Sequence, residues 1–434
     1  MKIKHLVLMI LFMCESLMLP AQTKLTLDLE AARKYALEHN KVMLNSNYAY
    51  EKSKMALNEA ILNGLPQVNA SVDYSNALGA KMSIQFNENM PATEIDIKPQ
   101  SNLYLNVSQL IFSGNYIVGV QTAKLYNQFS SLGRQKTEIE VIAQVTDAYY
   151  LVLISEYLNG FLQQNLGNLN KLYDKTSVLE HVGIIEKTDL DQLWIQVNNL
   201  QNALTSSERQ LELATNLLRL QLGVTVDTEI ELTETIDELL AEAGVENDLT
   251  KQFVASQNID SRMLQHQELI GEKMVNMKRA NALPNVAAFY RYTHKLIMPN
   301  FDMTPKNIVG LQMNIPIVSS GVRHFQTKQA KIDLQTIQNN IALLNDQLNI
   351  QEKQLRFNLN NAIDTYNNQK NNVEVSRKVY ESLKLKYEQG LISGLDMINA
   401  DNNYLKAETD HISAMLQVLR SRLELDKLYG EINN

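Results

Sequence analysis

The chain carries residue types capable of chemistry, but not at catalytic or metal-site spacing. His39, His181, His266, His294, His324 and His411 form no His-x-x-x-His pair, the spacing that sets two imidazoles on one helix face for zinc. Gly390 and Gly394 have no following Lys and no preceding strand, so they do not build a phosphate loop. No Gly-x-Ser-x-Gly elbow presents a nucleophile. Residues 224–250 hold nine acidic residues and no Lys or Arg, yet lack the ligand spacing of a calcium loop. They read as a solvated surface linker, with Thr228–Leu232 as a short strand inside it. Trp194 and the regularly spaced tyrosines read as packing. A net charge of −8 argues against a nucleic-acid partner. The reading is therefore of a protein with no enzymatic activity, no cofactor and no metal site.

The N-terminus reads as an export address. Lys2 and Lys4 precede an apolar run, Leu6–Met13, and Pro20-Ala21 precedes Gln22. Residues 1–21 are expected to be a signal peptide, cleaved after Ala21. The alternative is a lipoprotein signal with Cys14 acylated, against which stands the bulky Met13. Cys14 is the one cysteine, so the mature chain is expected to hold no disulfide. No later stretch reaches the length of apolar residues that a membrane-spanning helix needs.

The elements that would hold any site are long. Between Gly321 and Gly430 there is no proline, and the only intervening glycines are Gly390 and Gly394. Apolar residues recur at three- and four-residue steps through Ile337, Ile341, Leu344, Leu348, Leu355, Leu359, Ala362, Tyr366, Val373, Tyr380, Leu383 and Tyr387. The rhythm resumes at Ile398, Leu405, Ile412, Leu416, Leu419 and Leu423. This is the seam of an antiparallel coiled-coil hairpin with its tip at Gly390–Gly394. At 1.5 Å per residue a helix over Val322–Glu388 would be roughly 100 Å long, more than a compact domain needs.

The chain is also written twice. Gly183-Ile184-Ile185 echoes Gly390-Leu391-Ile392 at an offset of 207 (390 − 183). Leu222-Gly223 and Tyr429-Gly430, Asp189 and Asp396, and Ser113-Gly114 and Ser320-Gly321 keep the same offset. Leu65-Pro66 and Leu283-Pro284 stand 218 apart (284 − 66), so the length difference lies between Pro66 and Ser113 and its counterpart. Loops absorb such changes and packed helices do not. The expected organisation is a first repeat over 22–223, the acidic linker 224–250, a second repeat over 251–430 and a tail over 431–434.

Within each repeat the order is helix, two strands, helical hairpin. Residues 27–63 read as helix with Asp28 as N-cap, ended by Gly64-Leu65-Pro66; its counterpart is 251–282. Alternation of polar and apolar residues marks strands over 67–77, 102–113, 285–295 and 307–318. Their lengths suit tilted membrane strands. One face carries Asn69, Ser71, Asp73, Asn106, Ser108, Gln312 and Asn314. The other is apolar, with Tyr74, Tyr290 and Tyr292 towards its ends. A soluble two-sheet domain with one wet face fits the same alternation. The first hairpin is expected over 115–222, with Thr188 or Asp189 capping its return helix. Four strands cannot close a barrel, and open edges in hydrocarbon leave backbone groups unpaired, so a membrane location would require copies to associate.

This order, spacing and duplication closely resemble the outer-membrane efflux proteins of the TolC family. Leu-Pro before one strand and Ser-Gly after the next carry the resemblance at Pro66, Gly114, Pro284 and Gly321, the strand–helix junctions. So do the tips Val182-Gly183-Ile184 and Gly390-Leu391-Ile392, which in that family contact the adaptor. The resemblance implies a mostly α fold with a four-stranded β contribution. It implies a homotrimer with a 12-stranded barrel in outer-membrane lipid, continued by a helical periplasmic tunnel. Its implied partners are a periplasmic adaptor and an inner-membrane pump of RND or ABC type. The implied function is the duct of a tripartite efflux or type I secretion system. The resemblance further places an aspartate ring of the periplasmic gate at Asp396. Asn399 takes a second position that is acidic in the best-known member. Gly394 departs from the family pattern and is expected to loosen the start of its helix. The rival reading is a secreted or periplasmic coiled-coil scaffold without a pore.

Overall fold

The computed structural model describes residues 24–85, 91–242, 252–298 and 304–432. The expected signal peptide with Cys14, residues 243–250 of the acidic linker, and residues 433–434 of the tail lie outside them. The chain divides into two compact units. One comprises Met1–Asn47, Gly133–Ser261 and Leu344–Asn434, and the other Tyr48–Leu132 and Arg262–Leu343. Among the described residues no helix is long and apolar enough to cross a membrane.

The unit containing Tyr48–Leu132 is built on a sheet. Its strands are β2 (Gln67–Ser75), β5 (Gln100–Ser113), β7 (Asn285–Ile297) and β8 (Asn307–Asn314), in the spatial order β2-β5-β7-β8, all antiparallel. The register puts Val68 opposite Val107, Val107 opposite Tyr290 and Tyr290 opposite Val309, one apolar row across all four strands. On the other face Asn69 meets Asn106 and Asn106 meets Arg291, whose Nε donates to Asn106 Oδ1 at 2.7 Å. Phe289 also lies on this face and covers Gly310 directly opposite, where a Cβ would come within 2.7 Å of the ring. Strand β8 stops at Asn314, short of the expected 318, because Pro316 has no N–H to continue the ladder. Between β2 and β5 lies a hairpin that the alternation did not mark, β3 (Lys81–Ile84) with β4 (Thr93–Asp96).

The junctions are tightly made. Gln109 donates from its side-chain amide to the Gly64 carbonyl at 2.8 Å, and the Tyr116 hydroxyl donates to the Ile61 carbonyl at 2.9 Å. Gly114 is buried, and a methyl there would come within 2.7 Å of Leu283. Gly321 takes φ +85, following Ser320 at φ +46, a chain reversal that favours glycine. Pro66 is exposed and Pro284 half-buried, each just before its strand.

The other unit is helical. It holds parts of α3 (Gly114–His181) and α7 (Val322–Glu388), with the return helices α4 (Lys187–Leu222) and α8 (Gly394–Tyr429). The α7 span coincides with the reading from the sequence: nothing in it lacks an N–H or favours a turn. The single helix expected over 27–63 is instead two, α1 (Leu29–His39) and α2 (Lys41–Leu62), preceded by β1 (Lys24–Leu27). Asn40 makes the break. Its backbone is extended, at φ −60 and ψ 131. Its side-chain Oδ1 accepts from Val42 N (2.8 Å) and Met43 N (3.2 Å), so it caps α2. Its amide donates to the Gln221 carbonyl at 2.6 Å. Asp28 caps α1 as expected, accepting from Ala31 N at 2.7 Å. The acidic segment is more structured than a linker: β6 (Glu229–Leu232) pairs in parallel with β1, and α5 (Ile236–Glu242) follows. Leu27, Leu29, Ala32, Val145, Tyr149, Leu218, Leu222 and Ile236 are buried in one apolar cluster. The helix expected over 251–282 is α6 (Ile259–Ala280), after a single 3₁₀ turn at Ala255–Gln257.

Candidate functional site: the helical tips

The long hairpins turn at matched glycines. Past α3, Gly183 has φ +77; its N–H donates to the Glu180 carbonyl at 2.8 Å, and Ile184 N–H to Leu179 at 3.0 Å. Past α7, Gly390 has φ +69; its N–H donates to Tyr387 at 2.9 Å, and Leu391 N–H to Lys386 at 3.0 Å. The left-handed residue lets two N–H groups satisfy the last carbonyls of the helix, and glycine takes that conformation without a Cβ penalty. Gly223 and Gly430 close α4 and α8 in the same way, with φ +76 and +75. The duplication is thus visible as four equivalent helix ends.

The tips present apolar side chains. Val182, Ile184 and Leu391 are each at least 63 % exposed. Ile392 turns inward instead, half-buried against the cluster of Leu193, Tyr387 and Met397. Lys175 and Glu388 tie α3 to α7 just before the turns, with Nζ and Oε2 2.9 Å apart.

The two return helices start differently. Helix α4 has Glu186 at its N-cap, with no capping side-chain bond; the Thr188 hydroxyl donates to the Glu186 carboxylate at 3.2 Å. Neither Thr188 nor Asp189 is the cap expected from the sequence. Helix α8 starts with a complete capping box: Asp396 N–H donates to Ser393 Oγ (3.2 Å), and Ser393 N–H donates to Asp396 Oδ2 (3.3 Å). Ser393 Oγ also lies 2.8 Å from Asp396 Oδ2. Gly394 therefore does not loosen this helix. It is buried, and it is the first residue of a well-capped turn. Asp396 and Asn399 are both exposed, one turn apart on α8.

Deeper in α8 the structure corrects the expected seam. Of the expected seam, Ile412, Leu419 and Leu423 are buried, whereas Ile398, Leu405 and Leu416 are only half-buried, and Met397, Asp401, Glu408, His411 and Met415 are buried beside them. Asp401 is 0 % exposed. Its Oδ1 accepts from Asn165 of α3 at 3.3 Å, and its Oδ2 from Gln196 of α4 at 3.2 Å. Burial raises its carboxyl above the usual aspartate range, against the pull of these two amides. Glu408 accepts from the Tyr157 hydroxyl at 3.3 Å and is likewise raised by burial, with Arg377 and the Tyr157 bond acting the other way. His411 stacks on Tyr366, with centroids 5.4 Å apart. The signal that could have found them is a second stripe at four- and three-residue steps, Met397, Asp401, Tyr404, Glu408, His411 and Met415, polar where a seam is normally apolar.

Comparison with known proteins agrees with this architecture. Residues 256–431 match the family model of the outer membrane efflux proteins. The toluene efflux pump outer membrane protein TtgC of Pseudomonas putida is 22 % identical over 321 residues, covering 69 % of this chain and 62 % of TtgC. The chain thus spans less than two thirds of the length of the curated relatives it matches. The CmeC outer membrane channel of Campylobacter jejuni superimposes with a TM-score of 0.74 at 15 % identity, covering 93 % of this chain and 85 % of CmeC. The outer membrane protein VceC of Vibrio cholerae gives 0.72 at 14 %, covering 93 % and 96 %. At such identities the likeness fixes the fold: mostly helical, with a small strand contribution.

Proposed function

We propose that three copies of this chain form a passive duct through the outer membrane, extended into the periplasm by their helical hairpins. One observation carries this. The sheet ends at β2 on one side and β8 on the other, and each of these strands has a single partner among the described residues. An open edge in hydrocarbon costs several kcal/mol per unpaired backbone group, about what no single chain tolerates. Placing β8 of one copy beside β2 of the next removes every edge. Three copies give twelve strands, wide enough to leave a channel, whereas two would give a barrel filled by side chains. The apolar row Val68, Val107, Tyr290 and Val309 then faces lipid, and the Asn106–Arg291 face lines water.

In this reading the tips at Val182, Gly183, Ile184, Gly390, Leu391 and Ile392 meet a periplasmic adaptor, which links the duct to an inner-membrane pump of RND or ABC type. Asp396 of each copy contributes one carboxylate to a ring at the periplasmic entrance, where it attracts cations. Asn399 contributes a neutral amide one turn on. The name of the relative TtgC supports small apolar molecules among the cargo. The duct supplies no energy, and opening is a loosening of the α7–α8 hairpin on its packed seam.

The test is reconstitution of the purified, detergent-extracted protein in planar bilayers. Discrete conductance steps that trivalent cations block from one side are expected. Protein that inserts and gives no conductance overturns the duct.

A further inference from the structure

A cavity of about 580 Å³ lies along α3, α7 and α8. Its charged groups are unbalanced. Glu156, Glu381 and Glu408 face a single cation, Arg377. Glu408 is 3 % exposed, and its Oε2 has no hydrogen-bond partner. Arg377 does not pair with it; its guanidinium sits over the Tyr404 ring, 5.9 Å from the centroid. Burial pushes both Glu156 and Glu408 upward, and at Glu408 it does so against the opposing charge of Arg377.

The remaining wall is aromatic. Tyr404 stacks on Tyr380 (5.4 Å, 26° between planes) and takes the edge of Phe161 (5.6 Å, 81°). Tyr157 adds a fourth ring, held by its hydroxyl on Glu408. Ring faces attract a cation, most strongly where water is excluded, and a buried carboxylate supplies the opposite charge. The size falls in the range of small-molecule pockets. An anion would meet three carboxylates, and a neutral apolar molecule would leave Glu408 Oε2 unsatisfied.

We propose that this cavity binds an organic cation: a protonated amine or an onium group on an apolar body. The charged centre sits against Glu408 and takes the place of the Arg377 guanidinium over the Tyr404 ring, and the apolar body lies along Phe161 and Tyr380. The test below reads ligand binding and not conductance, so its outcome is separate from that of the duct.

The test is equilibrium dialysis of the detergent-solubilised full chain with tetraphenylphosphonium, against the neutral relative triphenylphosphine oxide. Saturable binding of the cation is expected, at least about ten times tighter than that of the oxide. Glu408→Gln, which keeps the shape and removes the charge, is expected to weaken binding about tenfold. Tyr404→Leu, which keeps the apolar area and removes the ring face, is expected to weaken it several-fold. Arg377→Gln removes the competing cation and is expected to tighten it. Glu59→Gln, in the other unit, serves as the control for non-specific charge. No saturable binding, equal binding of the oxide, or an unchanged constant in Glu408→Gln overturns the proposal.

Discussion

Gly394 lies against the carboxylate of Asp189: a Cβ built on the glycine would stand 2.9 Å from Asp189 Oδ1 and 3.0 Å from its Cγ. The two residues open the return helices of the two hairpins, so this contact sets how closely α4 and α8 approach at the tips. Gly394→Ala is predicted to push them apart. Single-channel recording should show a longer open time or larger conductance than in the native chain. Adding Asp189→Ala should restore native behaviour. An unchanged conductance in Gly394→Ala would mean that the tip contact has no part in gating.

The capping box makes a separable prediction for Asp396. Ser393→Ala removes the cap of α8 and should cost about 1 kcal/mol, read as a lower melting temperature, while block by trivalent cations persists. Asp396→Asn keeps an oxygen for the cap and loses the charge. It should leave stability nearly unchanged and weaken cation block. Block that survives Asp396→Asn would confine this residue to its capping role.

The buried carboxylates give a pH dependence with a definite sign. Burial raises Asp401 and Glu408 above their unfolded values. As pH rises past the ordinary carboxylate range, about 4, the unfolded chain loses these protons before the folded one. Stability therefore falls with rising pH until the folded groups also ionise, and then levels. Below the unfolded values both states are protonated and nothing is lost. Asp401→Asn and Glu408→Gln should melt above the native protein at neutral pH, with the gain shrinking towards pH 4. A gain, or a loss, of equal size at every pH would contradict this assignment.

Gly223 carries a different demand. It has φ +76, and a Cβ there would fall 2.3 Å from the carbonyl oxygen of His39, where α1 gives way to α2. Gly223→Ala should destabilise the helical unit by more than about 1 kcal/mol, since both the backbone conformation and the contact exclude a side chain. Gly430 has nothing within 4 Å, so Gly430→Ala should cost less, through its φ of +75 alone. Equal costs at both positions would show that the His39 contact relaxes freely. Thermal melts of the two variants decide it.

Much of the fold was legible because it is written in periods and punctuation. The α7 span follows from a long stretch free of proline and glycine, and the sheet from faultless alternation in Gln67–Ser75. The four glycine turns follow from the offset of 207. What stayed hidden depends on tertiary contacts. The break at Asn40 has no proline or glycine to mark it; its anchor is the Gln221 carbonyl, 181 residues away. The β1–β6 pair joins Lys24–Leu27 to Glu229–Leu232, far too distant for any local pattern. Asp401 and Glu408 fall outside the apolar steps Ile398, Leu405 and Ile412, so nothing local marks them as interior. Only the packing of α3 and α4 on that side shows them to be interior.

The central claim is that β2 of one copy pairs with β8 of another, and the chain is suited to testing it, since Cys14 is its one cysteine and can be replaced by Ser. Within a chain β2 and β8 are separated by β5 and β7, three strand spacings or about 14 Å, beyond disulfide reach. Ser71→Cys should be combined in turn with Ile308→Cys and Gln312→Cys, and membranes oxidised and run without reductant. A ladder that stops at three covalently joined chains, with at least one of the pairs, is the predicted result. Monomer alone in every pair, from protein that is folded and extracted only by detergent, would contradict the closed wall on which the duct depends.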